Sequence, residues 1–69
     1  MPVLNTIELE GVSESSWGDA AREALREAAK TIRNIQKLEV LDTATEVESD
    51  QIVRYRTHVR LYFQVEESR

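Results

Sequence analysis

The feature that most constrains the fold is one long alternating run, from Ile52 to Val65. Successive side chains of a β-strand point to opposite faces of the sheet, so a period of two is typical of a strand with one buried face. The apolar positions are Val53, Tyr55, Thr57, Val59, Leu61, Phe63 and Val65, and the polar positions are Arg54, Arg56, His58, Arg60, Tyr62 and Gln64. A strand of about 14 residues is longer than the usual range of about 3–10, so it needs partners along its whole length.

Two further strand-like segments accompany this run. The segment from Leu38 to Val47 is joined to it by the polar residues 48–51, which predicts an antiparallel hairpin. Near the N-terminus, the segment from Val3 to Glu10 alternates in part and is followed by Gly11. This pattern predicts a third, half-buried strand that ends at the glycine.

A helix is predicted between the first two strands. Ser16 stands three residues before Asp19, as in a capping box, and an apolar stripe with spacings of three and four follows. The stripe consists of Trp17, Ala21, Ala24, Leu25, Ala28 and Ile32. It predicts a helix of about five turns with Trp17 in the core. Because alanine is small, the stripe also predicts that a sheet packs closely against this helix.

The predicted order of elements is therefore β-α-β-β, an α+β fold in one domain over residues 1–69. One helix cannot cover three long strands, and exposed strand edges favour pairing with other chains. A chain of 69 residues is also marginal in stability on its own, and without cysteine it forms no disulfides. The sequence therefore predicts a homo-oligomer.

The composition argues against several classes of function. The net charge of −4 disfavours non-specific binding to nucleic acid, which depends on neutralising phosphates. No apolar run approaches the ~20 residues of a membrane-spanning helix. Met1 to Asn5 lacks the features of a signal peptide, and together with the absence of cysteine this predicts a cytoplasmic protein without a membrane partner. The single histidine, His58, has no nearby serine or cysteine nucleophile, so no enzymatic activity is expected.

Five segments, in order along nearly the whole chain, resemble the dodecin family. No single segment is decisive, but their order in a chain of this length is specific. They are Ile7-Glu8-Leu9, the turn from Gly11 to Trp17, the segment from Ala28 to Asn34, Glu39-Val40, and Tyr55 with Val59 and Phe63.

The resemblance implies a fold in which a three-stranded antiparallel sheet wraps around one helix. It also implies that the partner of the chain is itself, in a hollow homododecameric shell whose trimers meet across two-fold axes. Many dodecins bind riboflavin or FMN in pairs near these axes, and they store the flavin and quench its photochemistry. No catalytic role is implied.

The resemblance also locates a ligand site. Flavin-binding members place a tryptophan two residues before the Glu-Val of the second strand and a glutamine after the tyrosine of the third, and these positions are Lys37 and Arg56 here. Two acidic positions of some members match Asp42 and Glu46. The resemblance therefore implies a site made of these four residues, with riboflavin or FMN as its ligand and no metal.

The two exchanges leave an alternative ligand open. Stacking of an aromatic side chain on a base is worth about 1–3 kcal/mol, so Lys37 in place of tryptophan weakens flavin binding. Arg56 has only donors, whereas glutamine can also accept. Both cations suit a phosphate or another anion. The alternative is a dodecin-like shell that binds another anion such as coenzyme A, or a divalent cation, or that serves as a scaffold.

The other charged residues near this site have two interpretations. Arg54, Arg56, His58 and Arg60 form either a concave anion site or a surface paired with glutamates of neighbouring subunits. The second is favoured for Arg54 and Arg60 but not for Arg56, and His58 is interpreted as structural. The acids within residues 46–50 lack the glycine and the spacing of a known Ca²⁺ loop, so they are interpreted as a polar turn.

Overall fold

The computed structural model describes residues 3–65 and has the predicted order of elements. They are strand β1 (Leu4–Ser13), helix α1 (Trp17–Ala29), strand β2 (Ile35–Glu48) and strand β3 (Gln51–Gln64). The strands form one antiparallel sheet in the order β1-β3-β2, so the long alternating run is the central strand. The predicted α+β fold, with a three-stranded antiparallel sheet and one helix, is confirmed.

The hairpin between β2 and β3 closes through two residues, Ser49 and Asp50. Both have positive φ, 52° and 64°. Two-residue hairpin turns with positive φ at both positions have a twist that matches the flanking strands. Glu48 and Gln51 are paired with each other across the ladder, so the turn is shorter than the predicted polar segment.

Helix α1 begins as its sequence predicts but ends earlier. The Ser16 hydroxyl accepts the backbone N–H of Asp19 at 3.0 Å, and the Ser13 hydroxyl donates to the Asp19 carboxylate at 2.9 Å. The helix has 13 residues and ends at Ala29, so the prediction of about five turns is wrong. Ile32 lies beyond the helix but still packs against the core, which explains why the apolar spacing continues past the last helical residue.

The centre of the core is a row of alanines packed on the central strand. Ala24 and Ala28 form a buried cluster with Val59 and Leu61 of β3. Ala20, one turn earlier, is fully buried, although the predicted stripe passed through its neighbour Ala21 instead. Short side chains at successive turns let the helix approach the sheet closely, as the alanine-rich stripe predicts.

Trp17 is not a core residue, contrary to the sequence-based prediction. It is 44% exposed at the first helical position. Its indole packs in a T-shaped arrangement with the ring of Tyr55, with 5.2 Å between centroids, and its N–H donates to the carbonyl of Ala44 at 3.0 Å. The indole therefore fixes the start of the helix against the hairpin instead of filling the interior.

Gly11 lies inside β1, which continues to Ser13, so the prediction that the strand ends at the glycine is wrong. The residue is buried against the helix. A Cβ atom added there would lie 1.8 Å from the carbonyl oxygen of Ala20, far inside van der Waals contact. The glycine is therefore required by close approach of the two backbones.

The hairpin extends beyond the part of the sheet that β1 and α1 cover. Strand β1 ends opposite Tyr55, so residues 46–54 project past it, and the molecule measures 57 × 20 × 12 Å. Near the tip, Val47 and Ile52 face each other across the ladder and are 60% and 54% exposed. Exposed apolar residues on a projecting element are typical of an interaction surface, which agrees with the predicted self-association.

Gly11→Ala should destabilise the protein by about 1–3 kcal/mol, because the new methyl group forces the helix away from the strand. Urea unfolding at a fixed protein concentration measures this change. The matched control is Gly18→Ala, where the nearest atom lies 3.9 Å from the added Cβ. The control should instead gain about 0.4–1 kcal/mol of stability, because alanine reduces the conformational entropy of the unfolded chain. Equal effects of the two substitutions would contradict the role given to Gly11.

Candidate functional site

The four predicted ligand residues belong to the two strands of the hairpin, β2 and β3. Val59 and Leu61 of β3 face the helix, so the alternate residues of that strand point to the other side of the sheet. We call this other side the open face. In an antiparallel ladder, residues that stand opposite each other share a face. The register therefore places carboxylates of both edge strands beside the cations of β3 on the open face; they are Glu8, Glu10, Glu39, Asp42 and Glu46.

Arg56 is held by carboxylates from both neighbouring strands. Its Nε donates to Glu46 Oε2 at 2.5 Å, and its Nη2 also pairs with that oxygen. Its Nη1 faces Glu10 Oε1 at 3.3 Å. The hydrogen bond to Glu46 raises the pKa of Arg56 above its ordinary value. All three nitrogens of this guanidinium therefore face carboxylates, and the residue links all three strands.

Glu46 binds a second arginine as well. Its Oε1 lies 3.4 Å from the Nε of Arg54, so each carboxylate oxygen faces a different guanidinium. The structure thus brings two predicted site residues, Glu46 and Arg56, into direct contact.

A second cluster lies further along β3 around Arg60. Its Nη2 donates to Glu8 at 3.0 Å and its Nη1 lies 3.5 Å from Glu39. The hydrogen bond from Arg60 is the main cause that lowers the pKa of Glu8, whose other oxygen lies 3.2 Å from His58 Nε2. The Tyr62 hydroxyl donates to Glu39 at 2.7 Å.

For Arg54 and Arg60, neighbouring subunits were the favoured source of the paired glutamates, and for Arg56 the two interpretations were left open. In the structure, the glutamates that pair with Arg54, Arg56 and Arg60 belong to the same chain. The reason is the strand order: both edge strands carry acids at the positions that stand beside the cations of the central strand.

Lys37 lies at the far end of the open face. Its ammonium stands 4.3 Å above the ring centre of Tyr62, a cation–π contact. Tyr62 lies six positions beyond Arg56 on the same strand (62 − 56 = 6), which corresponds to about 20 Å at about 3.3 Å per residue. Lys37 and Arg56 of one chain therefore lie at separate places along the open face.

Asp42 lies between these two ends. It pairs with His58 directly after a bulge that separates it from Val40 in the ladder. A bulge inserts one extra residue and re-aims the side chains that follow it. Asp42 is exposed, and it is two residues from Ala44, the partner of Arg56.

Concave surfaces lie elsewhere in the described part of the chain. Two clefts of about 220 and 350 Å³ lie between α1 and β1, and both are lined by Leu9 and Glu27. None of the four predicted site residues lines either cleft.

Residues 3–65 show neither a metal-binding cluster nor a helix that could cross a membrane. This range contains no group of three or more histidine and acidic side chains placed to hold a metal ion. Of the acids near the hairpin turn, Glu46 is bound to arginines and Asp50 is a turn residue. No helix in the same range has the length and apolarity needed to cross a membrane.

The sequence-based interpretation missed the partners of the cations. Glu8 and Glu10 lie at alternate positions of β1, which placed them on its polar side, but their neighbours depend on which strand lies beside β1. The contact of Lys37 with Tyr62 was missed in the same way. The signal in the sequence was that acids recur along the edge strands while basic residues alternate along β3. This pattern identifies the partners only once β3 is known to be the central strand.

The chain was compared with known protein families and solved structures. The family model described as Dodecin matches residues 3–66. A dodecin from Streptomyces coelicolor is 27% identical, with a TM-score of 0.92 over 97% of this chain and 96% of that chain. A Thermus thermophilus protein is 28% identical, with a TM-score of 0.93 over 99% of this chain and all of the other (100%).

A third similar structure is of a protein named for calcium binding. It is a calcium dodecin from Mycobacterium tuberculosis, described as a calcium-chelating antigen with a novel calcium-binding site. It is 28% identical, with a TM-score of 0.82 over 97% of this chain and 96% of that chain. A comparison with curated proteins gave no match. The family match over nearly the whole chain, together with the shared fold, means that the chain belongs to the dodecin family.

Proposed function

We propose that this dodecin, a small ligand-binding protein, stores riboflavin or FMN in a homododecameric shell. The ligand lies where copies of the chain meet, at Lys37, Asp42, Glu46 and Arg56. The protein binds its ligand without transforming it. It works in the cytoplasm, with copies of itself as its partners and with neither nucleic acid nor membrane.

The observation that carries this proposal is the distribution of the four residues along the open face. Lys37 is about 20 Å from Arg56, measured along β3. A symmetric contact between two chains places equivalent surfaces side by side, so it can bring distant residues of different copies to one ligand. The exposed apolar residues Val40, Val47 and Ile52 on the same hairpin support burial of this region against other copies.

A second candidate is a shell that binds another anion, such as coenzyme A. The observation that favours it is the position of Lys37 over Tyr62, where flavin-binding members carry a stacking tryptophan. An ammonium group at that place offers charge where the tryptophan offers an aromatic surface. A divalent cation is a weaker candidate, since Glu46 is already bound by two arginines.

Native mass spectrometry of the purified protein should give a homododecamer of the 7.9 kDa chain that carries flavin-sized adducts. Assembly is expected because the projecting hairpin leaves apolar surface exposed in one chain. The mass under denaturing conditions serves as the control for covalent adducts. A bare dodecamer, or one with a non-flavin adduct, would favour the second candidate. A monomer would contradict the proposal.

Lys37→Trp combined with Arg56→Gln should strengthen flavin binding about thirtyfold, which corresponds to about 2 kcal/mol of stacking. Titration of riboflavin with the protein, followed by the quenching of flavin fluorescence, measures the affinity. Gln36→Trp with Arg56→Gln is the matched control, because it places the same indole one residue away, at an irregularity of β2. An equal gain in both variants, or none in the first, would refute the assignment of Lys37 to the site.

A further inference from the structure

Tyr62 is the aromatic residue of the open face. The sequence has one tryptophan, two tyrosines and one phenylalanine, and all of them lie in the part of the chain that the structure describes. Trp17 belongs to α1, and Tyr55 and Phe63 share the side of β3 that faces the helix. Tyr62 lies on the opposite side of the strand. A flat ring that meets the open face of this chain therefore finds its aromatic partner in Tyr62.

The ring of Tyr62 is held in place by its neighbours. Its hydroxyl donates to Glu39 Oε1 at 2.7 Å, and the same carboxylate oxygen lies 3.5 Å from Nη1 of Arg60. The residue is half-buried, although it stands on the open face. A side chain that is already fixed loses little conformational freedom when a ligand binds. The ring is therefore a pre-organised surface for stacking.

The Lys37 ammonium covers one face of this ring, 4.3 Å above its centre. Lys37 and Tyr62 stand opposite each other in the ladder, and Lys37 is exposed. Because lysine carries its charge on a flexible stem, the ammonium can leave the ring without movement of the backbone. An exposed cation–π contact is weaker than the stacking of a flat ring on an aromatic side chain. A ligand ring can therefore displace the ammonium from Tyr62.

We propose that Tyr62 is a ligand-binding residue that stacks on the ring of the bound flavin, with Lys37 as the cover that the ligand displaces. This inference rests on the proposed function, which places Lys37 in the ligand site. It gives an aromatic surface to a site that has lysine where flavin-binding members have tryptophan. The displaced ammonium keeps its hydrogen-bond donors, and it stays close enough to reach the carbonyl oxygens of the ligand.

The test is a titration of riboflavin with the full-length assembly, followed by the quenching of flavin fluorescence. Tyr62→Leu removes the ring, and it should weaken binding at least about tenfold because the stacking contact is lost. Tyr62→Phe keeps the ring and removes the hydroxyl, so its affinity should stay within about threefold of the wild type. Melting temperatures and native masses establish that each variant is folded and assembled.

Gln64→Leu is the matched control. It places the same leucine two residues further along the same face of β3, where Gln64 bonds to Gln36 and not to Lys37. It should leave the riboflavin affinity unchanged. An affinity of Tyr62→Leu equal to that of the wild type would overturn the inference and leave the proposed storage function intact. Equal losses in Tyr62→Leu and in either of the other two variants would do the same.

A separate arm decides the inference if neither the wild type nor any variant binds riboflavin, in which case the proposed flavin storage fails. The probe is then adenosine, an uncharged nucleoside whose flat ring is also part of coenzyme A. The chain has two tyrosines, so isotope-labelled tyrosine gives two sets of NMR ring signals, which Tyr62→Phe assigns. Adenosine should shift the signals of Tyr62 and not those of Tyr55, which faces the helix. No shift, or equal shifts of both tyrosines, overturns the inference.

Discussion

The fold depends on the close packing of the helix against the centre of the sheet. Val59 and Leu61 are completely buried because Ala24 and Ala28 lie directly above them. Gly11 makes this distance possible, since any side chain there would meet the helix backbone. A bulkier residue in the alanine row would lift the helix and open the apolar face of β3 to water.

Once one face of β3 is buried, every cation of that strand is forced onto the opposite face. There the ladder register decides which acid each cation meets, so Arg56 joins Glu46 on one side and Glu10 on the other. The charges that could receive a ligand are therefore also the charges that connect the strands. At the proposed site, a ligand that bound Arg56 would compete with the carboxylates that connect the strands.

Much of this architecture could be predicted from alternation and spacing alone, including the elements, the hairpin and the two faces of β3. The order of strands could not, because nothing in the local pattern says whether β1 pairs with β2 or with β3, and so Glu10 was missed as a partner of Arg56. Trp17 was placed in the core because it leads an apolar stripe. The prediction failed because the half-exposed indole packs against Tyr55 and donates its N–H to the carbonyl of Ala44 instead of entering the interior.

The central position of β3 has a consequence for how the molecule forms. It is the last of the three strands along the chain, and both edge strands pair only with it, from Leu4 opposite Gln64 to Glu48 opposite Gln51. During synthesis, β1 and β2 therefore emerge from the ribosome without a partner in their own chain. The whole sheet can therefore assemble only after β3 has been translated. The first strand contacts available to the chain are those of the local hairpin between β2 and β3.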